Sequence, residues 1–191
     1  MREYRPDWCF PSMDPDFLYQ PAGLDHMDWT QTTHPRVVVE SLPSLGRTTL
    51  LTHIFSILVD FHVRPGLQQG RIVLCDSYHY RFAAKSRVID PDTASLMEHA
   101  GSKAPRPDLA IWLDMPLPRA WQLKGEACSM MEGGWDRDYK GFERLQTEVK
   151  RIVLEEYLSD LPTVRIPADR MPEEVLSDCL RTVDEFVAPT V

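Results

Sequence analysis

The chain has 191 residues, 43% hydrophobic and 26% charged, with 21 Lys and Arg against 29 Asp and Glu for a net charge of −8. That length is enough for one domain with a full core, and the composition is that of a folded, soluble, globular chain. The negative balance, with no basic stripe, speaks against a general nucleic-acid binder, and no apolar run nears the roughly 18–20 residues that span a bilayer.

Cys9, Cys75, Cys128 and Cys179 lie far apart and form no C-x-x-C pair, which predicts free thiols rather than bridges or a zinc site. The opening MREYRPDW is not a secretory signal, and Asp7, Asp14 and Asp16 make it a poor transit peptide.

Residues 1–35 hold Pro6, Pro11, Pro15, Pro21 and Pro35 among Trp8, Phe10, Phe17, Tyr19 and Trp29. Prolines at this density block long helices and central strands. Two readings stand: a disordered leader, or an extended arm that buries its aromatics on its own domain or on a partner. Residues 36–191 form the folded domain.

Within that domain, Val37–Glu40 is a short β-branched strand and Thr48–Val63 carries a helical apolar pattern that Pro65-Gly66 breaks. Arg71–Cys75 is a second strand, and Tyr80–Ala100 is helical with Pro91 as the point where it can break. Leu109–Leu113 is a third strand. Pro116–Cys128 opens a helix with proline in its first turn, and Tyr139–Leu161 is a long helix that Pro162 ends. Thr163–Ile166 is a fourth strand. Pro172–Val187 is the last helix, its Pro172-Glu173-Glu174 suiting a helix start. Strands alternating with helices predict an α/β fold, a parallel sheet of about four strands with helices on both faces.

Ligands in such sheets sit beyond the carboxyl ends of the strands, where this chain places Glu40-Ser41, Asp76-Ser77, Asp114 and Ala168-Asp169. The run ESLPSLGRTT, Glu40–Thr49, has the strand–loop–helix shape of a phosphate-binding P-loop. In that device glycines let N–H groups close on phosphate oxygens, a lysine adds charge, and Ser or Thr holds Mg²⁺. Gly46 and Thr48 remain, but Ser41 adds a Cβ, Pro43 removes an N–H, and Arg47 is larger and more planar than lysine. The other reading of Ser41–Thr48 is a plain strand-to-helix connector.

Asp76 suits a metal ligand or a base toward a hydroxyl, or else caps the following helix. The segment between Leu123 and Asp136 holds Lys124, Glu126 and Glu132 but no arginine before Arg137, with Met130, Met131 and Trp135 suited to contact or core. The histidines show no ligand spacing and read as polar or packed surface.

Four stretches together resemble the thymidylate kinase and deoxyribonucleoside kinase branch of the P-loop kinases. They are Glu40–Thr49, Asp76-Ser77-Tyr78, the run PDLAIWLDMPLP at Pro107–Pro118, and Asp136–Asp160 with Tyr139, Phe142, Glu143 and Tyr157. The resemblance covers roughly residues 36–187. It implies a P-loop kinase-like fold, truncated here because only the 26 residues Leu50–Cys75 separate the loop from Asp76. The missing part is the strand and helices that enclose the acceptor base in that family.

If the P-loop works, the resemblance implies ATP and Mg²⁺ as cofactors. Ser41, Ser44, Gly46, Arg47, Thr48 and Thr49 would then hold the nucleotide, Asp169 and Arg170 would lie beside its adenine, Thr48 and Asp76 would bind the metal, and Asp76 would be the catalytic group.

The losses in the loop, at Ser77 where that family has an arginine, in Leu123–Asp136 where it has an arginine-bearing lid, and in the acceptor segment point instead to a catalytically silent kinase fold, with no catalytic residue, metal or cofactor expected. A narrower resemblance, carried by DMPLPRAWQLKGEACSMMEGGWDRDYKGFERLQTEVK, is to the deoxyribonucleoside-kinase-like accessory subunit of mitochondrial respiratory complex I. It implies protein subunits as partners and a place on the matrix side of the inner membrane. The rival reading is an active nucleoside or nucleoside-monophosphate kinase in the cytoplasm, and a third is a module that binds ATP without transfer.

Overall fold

The computed structural model describes residues 8–9, 44–76, 78–124, 136 and 138–188. The chain divides into two compact units, Met1–Pro105 and Arg106–Val191.

In the first unit, α1 spans Ser44–Leu58, continues through a π-helical turn at Val59–Val63, and ends in α2, Arg64–Gln68. Leu51, Ile54, Phe55, Leu58 and Val59 recur at helical spacing and are all buried, so one stripe of this rod makes the core. The expected break at Pro65-Gly66 does not occur. The wider turn before Pro65 and its place in the first turn of α2 remove the clash that a mid-helix proline would cause. The rod ends instead at Gly70, whose φ of +69° is the left-handed region open to glycine. There the Gly70 N–H donates to the Leu67 carbonyl and the Arg71 N–H to that of Gly66, at 2.9 and 3.0 Å.

The chain then turns into β2, Ile72–Val73, so no strand intervenes between α1 and β2, as the short Leu50–Cys75 interval implies. β2 pairs in parallel with β1, Trp8–Cys9, in the register Trp8 to Ile72 and Cys9 to Val73. Between Pro6 and Pro11, these two residues keep the N–H groups a ladder needs. The expected strand Val37–Glu40 lies outside the described residues.

The predicted helix Tyr80–Ala100 is two, α3 (His79–Ile89) and α4 (Pro91–Ser102), broken at Asp90 where φ is −152° and ψ 81°. The residue before a proline is pushed from helical to extended geometry, and Asp90 obeys that rule.

In the second unit β3, Ala110–Asp114, pairs in parallel with β4, Thr163–Pro167, from Ala110 opposite Thr163 to Asp114 opposite Pro167. The fold is therefore α/β with parallel pairing. Among the described residues the strands pair two by two, one pair in each unit.

Helix α5 is Leu117–Leu123, flanked by Pro116 and Lys124; residues 125–128 of its expected span lie outside the described residues. The long predicted helix is α6, Tyr139–Arg151, capped by the Asp138 carboxylate, which accepts from the Gly141 N–H at 2.8 Å. It runs on as a π-helical stretch to Tyr157. Phe142, Leu145, Val149 and Ile152 are its buried stripe, and Ile166 of β4 is buried as well. The last helix, α7, is Pro172–Val187 as predicted, and the Glu174 carboxylate at its start accepts from the Met171 N–H at 3.2 Å.

No described helix is long and apolar enough to cross a membrane.

Candidate functional site

The helix begins four residues earlier than its apolar pattern predicts, so Ser44, Gly46, Arg47, Thr48 and Thr49 all lie in the opening turns of α1. Ser41 lies outside the described residues. Gly46 and Thr49 are exposed, whereas Arg47 and Thr48 are each only 3% exposed.

The Thr48 hydroxyl is engaged. Its Oγ1 lies 3.1 Å from Thr93 Oγ1 on α4, a buried contact between elements 45 residues apart. Thr93 Oγ1 in turn donates to the Asp90 carboxylate at 3.0 Å. A hydroxyl has one proton to give, and that of Thr93 goes to the carboxylate. Thr48 is therefore the donor to Thr93, and a relay Thr48–Thr93–Asp90 ties the first turns of α1 to the start of α4.

A nucleotide–magnesium complex needs the hydroxyl at this position free to meet a hydrated ion, and glycines around it to admit phosphate. Thr48 is turned to α4 and buried, and Gly46 is the one glycine in Glu40–Thr49. The residues as arranged do not fit that complex.

The relay makes a stability prediction. Thr93→Val removes the acceptor of a buried hydroxyl and leaves Thr48 without its partner. Denaturant unfolding should show a loss of about 1–2 kcal/mol, and Thr93→Ser, which keeps the hydroxyl, should recover most of it. Equal losses in both variants would show that the methyl group, not the hydrogen bond, matters.

Asp76 is exposed just past β2, and Ser77 beside it lies outside the described residues. In the second unit, Asp169 accepts from Arg119 Nε at 3.3 Å. Arg170 donates through Nη2 to Asp178 at 2.6 Å and through Nε to the Pro167 carbonyl at 3.1 Å. Both residues that the resemblance assigns to adenine thus have partners within their own unit. Among the described residues no three His, Cys, Asp or Glu side chains group to hold a metal.

Asp114, at the carboxyl end of β3, pairs with Lys150 of α6 at 2.6 Å. The Lys150 hydrogen bond holds its carboxyl below the usual range, against a smaller opposing push from burial. A carboxylate shifted down stabilises the fold above its ordinary value, and that contribution fades as the pH falls through the lowered value. The two side chains are 39% and 37% exposed, so solvent screens the pair. Lys150→Met is expected to cost under about 1 kcal/mol and to return the Asp114 titration toward the ordinary range in a carboxyl-detected NMR titration. An unmoved titration would show that Lys150 is not the cause.

Sequence reasoning missed Thr93 and Asp90. Their signal was present, since Asp90-Pro91 followed by a hydroxyl residue at position 93 is a helix-start pattern. His79 has the packed role rather than the polar-surface one: it is 9% exposed and lies among Phe55, Tyr78 and Tyr80.

A thymidylate kinase of Dehalococcoides mccartyi strain BAV1 is 37% identical over 90 residues, covering 46% of this chain and 43% of the relative. The chain is similar to thymidylate kinases. One from Desulfovibrio desulfuricans matches over 133 residues at 24% identity, covering 65% of this chain and 60% of the relative. A probable thymidylate kinase of Pyrococcus horikoshii is 42% identical over 55 residues, covering 29% of this chain. The matches to the Dehalococcoides and Pyrococcus proteins span less than half of those relatives' own length. No protein-family model matches the chain. These relatives support a nucleotide-kinase-like ancestry and lend no support to a place in respiratory complex I or in the mitochondrion.

Proposed function

We propose that this protein is a thymidylate-kinase-like fold without phosphoryl transfer, acting as an accessory subunit through contacts with other proteins. The observation that carries the reading is the Thr48 hydroxyl, buried and committed to Thr93 where a working loop offers it to magnesium. Ser41 and Pro43 in the loop, the buried Arg47, and the ion pairs that engage Asp169 and Arg170 add support.

A second reading, a divergent nucleotide kinase using ATP and Mg²⁺, is favoured by the 37% identity to a thymidylate kinase. There Arg47 holds phosphate, Thr48 and Asp76 serve the metal, and Asp76 takes the acceptor proton.

One experiment separates the two. The full chain is incubated with ATP, Mg²⁺ and thymidine monophosphate, with a panel of nucleosides and other monophosphates beside it, and ADP release is followed. The expected result is no release above the protein-free blank, and no binding heat in a titration with millimolar ATP and Mg²⁺. Turnover that disappears in Asp76→Asn overturns the proposal and establishes the kinase. A blue-native gel of a mild-detergent extract then reads the partners: migration with a larger assembly is expected, and migration as a free monomer or dimer counts against the accessory role.

A further inference from the structure

Helix α3 begins without a side-chain cap, since Tyr78 at its N-cap makes no capping hydrogen bond. Two other contacts hold this end. The Tyr78 hydroxyl donates to the Pro105 carbonyl at 2.8 Å. The His79 ring seats on the backbone of α4 at Gly101, so closely that a Cβ there would lie 2.1 Å from its Cδ2. Phe55 of α1, with Tyr78 and Tyr80, completes the seat, at centroid distances of 5.2, 4.9 and 4.1 Å from His79. Three helices therefore meet on one imidazole.

That seat suits a neutral ring. His79 is the first residue of α3, where the helix dipole is positive and repels a cation. Aromatic faces offer a cation some attraction, but lost hydration outweighs it, and burial pushes the imidazole down to about 4. The groups facing it supply no countercharge. α1 presents Phe55 and α4 presents Gly101, neither of which titrates, and α3 presents Tyr78 and Tyr80, phenols that carry no charge in acid. Cys75 and Arg64 act on Tyr78, and no carboxylate contributes to the shift of His79.

We propose that His79 is an acid-released latch on the α3–α4 pair. Neutral, the ring closes the start of α3 onto the end of α4. With a second proton it leaves for water, the uncapped first turn of α3 frays, and Tyr78 releases Pro105. Phe55, 1% exposed in the closed form, then gains access to solvent. The opening is local. It gives up one ring seat and one hydrogen bond, and spares the Thr48–Thr93–Asp90 relay at the other end of α4. The latch is independent of whether the fold transfers phosphate.

The test is hydrogen exchange by NMR on the full chain at pH 6.5 and 4, with urea added in steps below the unfolding transition. The probes are the amides of Lys103 and Ala104, which donate to the Ala100 and Gly101 carbonyls, and of Ala83, one turn into α3. With the intrinsic pH effect removed, their exchange should speed at least about tenfold at the lower pH. There it should be insensitive to urea, as a small opening is, while Leu58 and Val59 of α1 follow the urea dependence of global unfolding. In His79→Phe, which keeps a ring and takes no proton, the local acid step should vanish. Probes that share the urea dependence of Leu58 and Val59 overturn the latch, because only the whole unit then opens. An acid step that survives in His79→Phe overturns it as well. Should that variant not fold, the urea dependence of the parent decides alone.

Discussion

Gly101→Ala is expected to destabilise the first unit by about 2–3 kcal/mol, although it places the better helix former in a helix. A Cβ at Gly101 would lie 2.1 Å from His79 Cδ2 and 2.4 Å from its Nε2. That is far inside contact, and the ring has nowhere to go. Its centroid is 4.1 Å from that of Tyr80, 4.9 Å from Tyr78 and 5.2 Å from Phe55. Phe55 is itself only 1% exposed, and Tyr78 is fixed by its hydroxyl, which donates to the Pro105 carbonyl at 2.8 Å. Overpacking a site without slack costs about 1–3 kcal/mol, sometimes more. The helical gain of alanine over glycine is at most about 1 kcal/mol, and less here because Gly101 is the last residue but one of α4.

For a chain of this size that loss should lower the melting temperature by roughly 4–12 °C. A double-mutant cycle identifies the cause. His79→Ala alone opens a cavity and destabilises, whereas adding Gly101→Ala to it should cost almost nothing further, since the clashing ring is gone. Additive losses in the double variant would show that the glycine serves the backbone and not the histidine.

The helix α7 and the strands β3 and β4 were legible in the sequence because their signals are local. Pro172 with two glutamates marks a helix start, and LAIWL and TVRI are β-rich runs between turn residues. Asp90-Pro91 likewise announced a break that the structure contains. Pro65-Gly66 misled because the effect of a proline depends on its position in a helical turn, and the π-helical turn before it reset that position.

The candidate site was legible as a list of residues and not as an arrangement. Gly46, Arg47 and Thr48 could be found by pattern. Nothing local shows that Thr48 meets a hydroxyl 45 positions on, or that His79 needs a glycine 22 positions on. Such contacts follow from the packing of α1, α3 and α4 against one another. The same holds for β1, whose partner is set by tertiary structure and not by its own two residues.

Lowering the pH from 6.5 to 4 should remove roughly 3 kcal/mol of stability through His79 alone. Burial pushes its imidazole down from 6.5 to about 4, since a charged ring would lose its hydration among aromatic neighbours. Among the described residues no hydrogen-bond partner meets Nδ1 to offset that loss. The folded chain therefore keeps His79 neutral over a range in which the unfolded chain protonates it. Because the unfolded state binds the extra proton, stability rises with pH across this window. The contribution is complete above pH 6.5, declines as the pH falls through that value, and levels off below about 4. The size follows from about 1.4 kcal/mol for each tenfold change in protonation.

His62 is also lowered by burial and adds a slope of the same sign, while carboxylates add their own near the acid end. The informative quantity is therefore the difference between the parent and His79→Gln, which keeps every other titrating group. Denaturant unfolding at intervals between pH 7 and 4 should give a steeper decline in the parent, with the two curves converging toward acid. In the parent, the His79 ring protons should not titrate in NMR spectra above about pH 5. Parallel curves, or a His79 titration near its ordinary value, would mean that water reaches the ring and that the aromatic slot around Gly101 is open in solution.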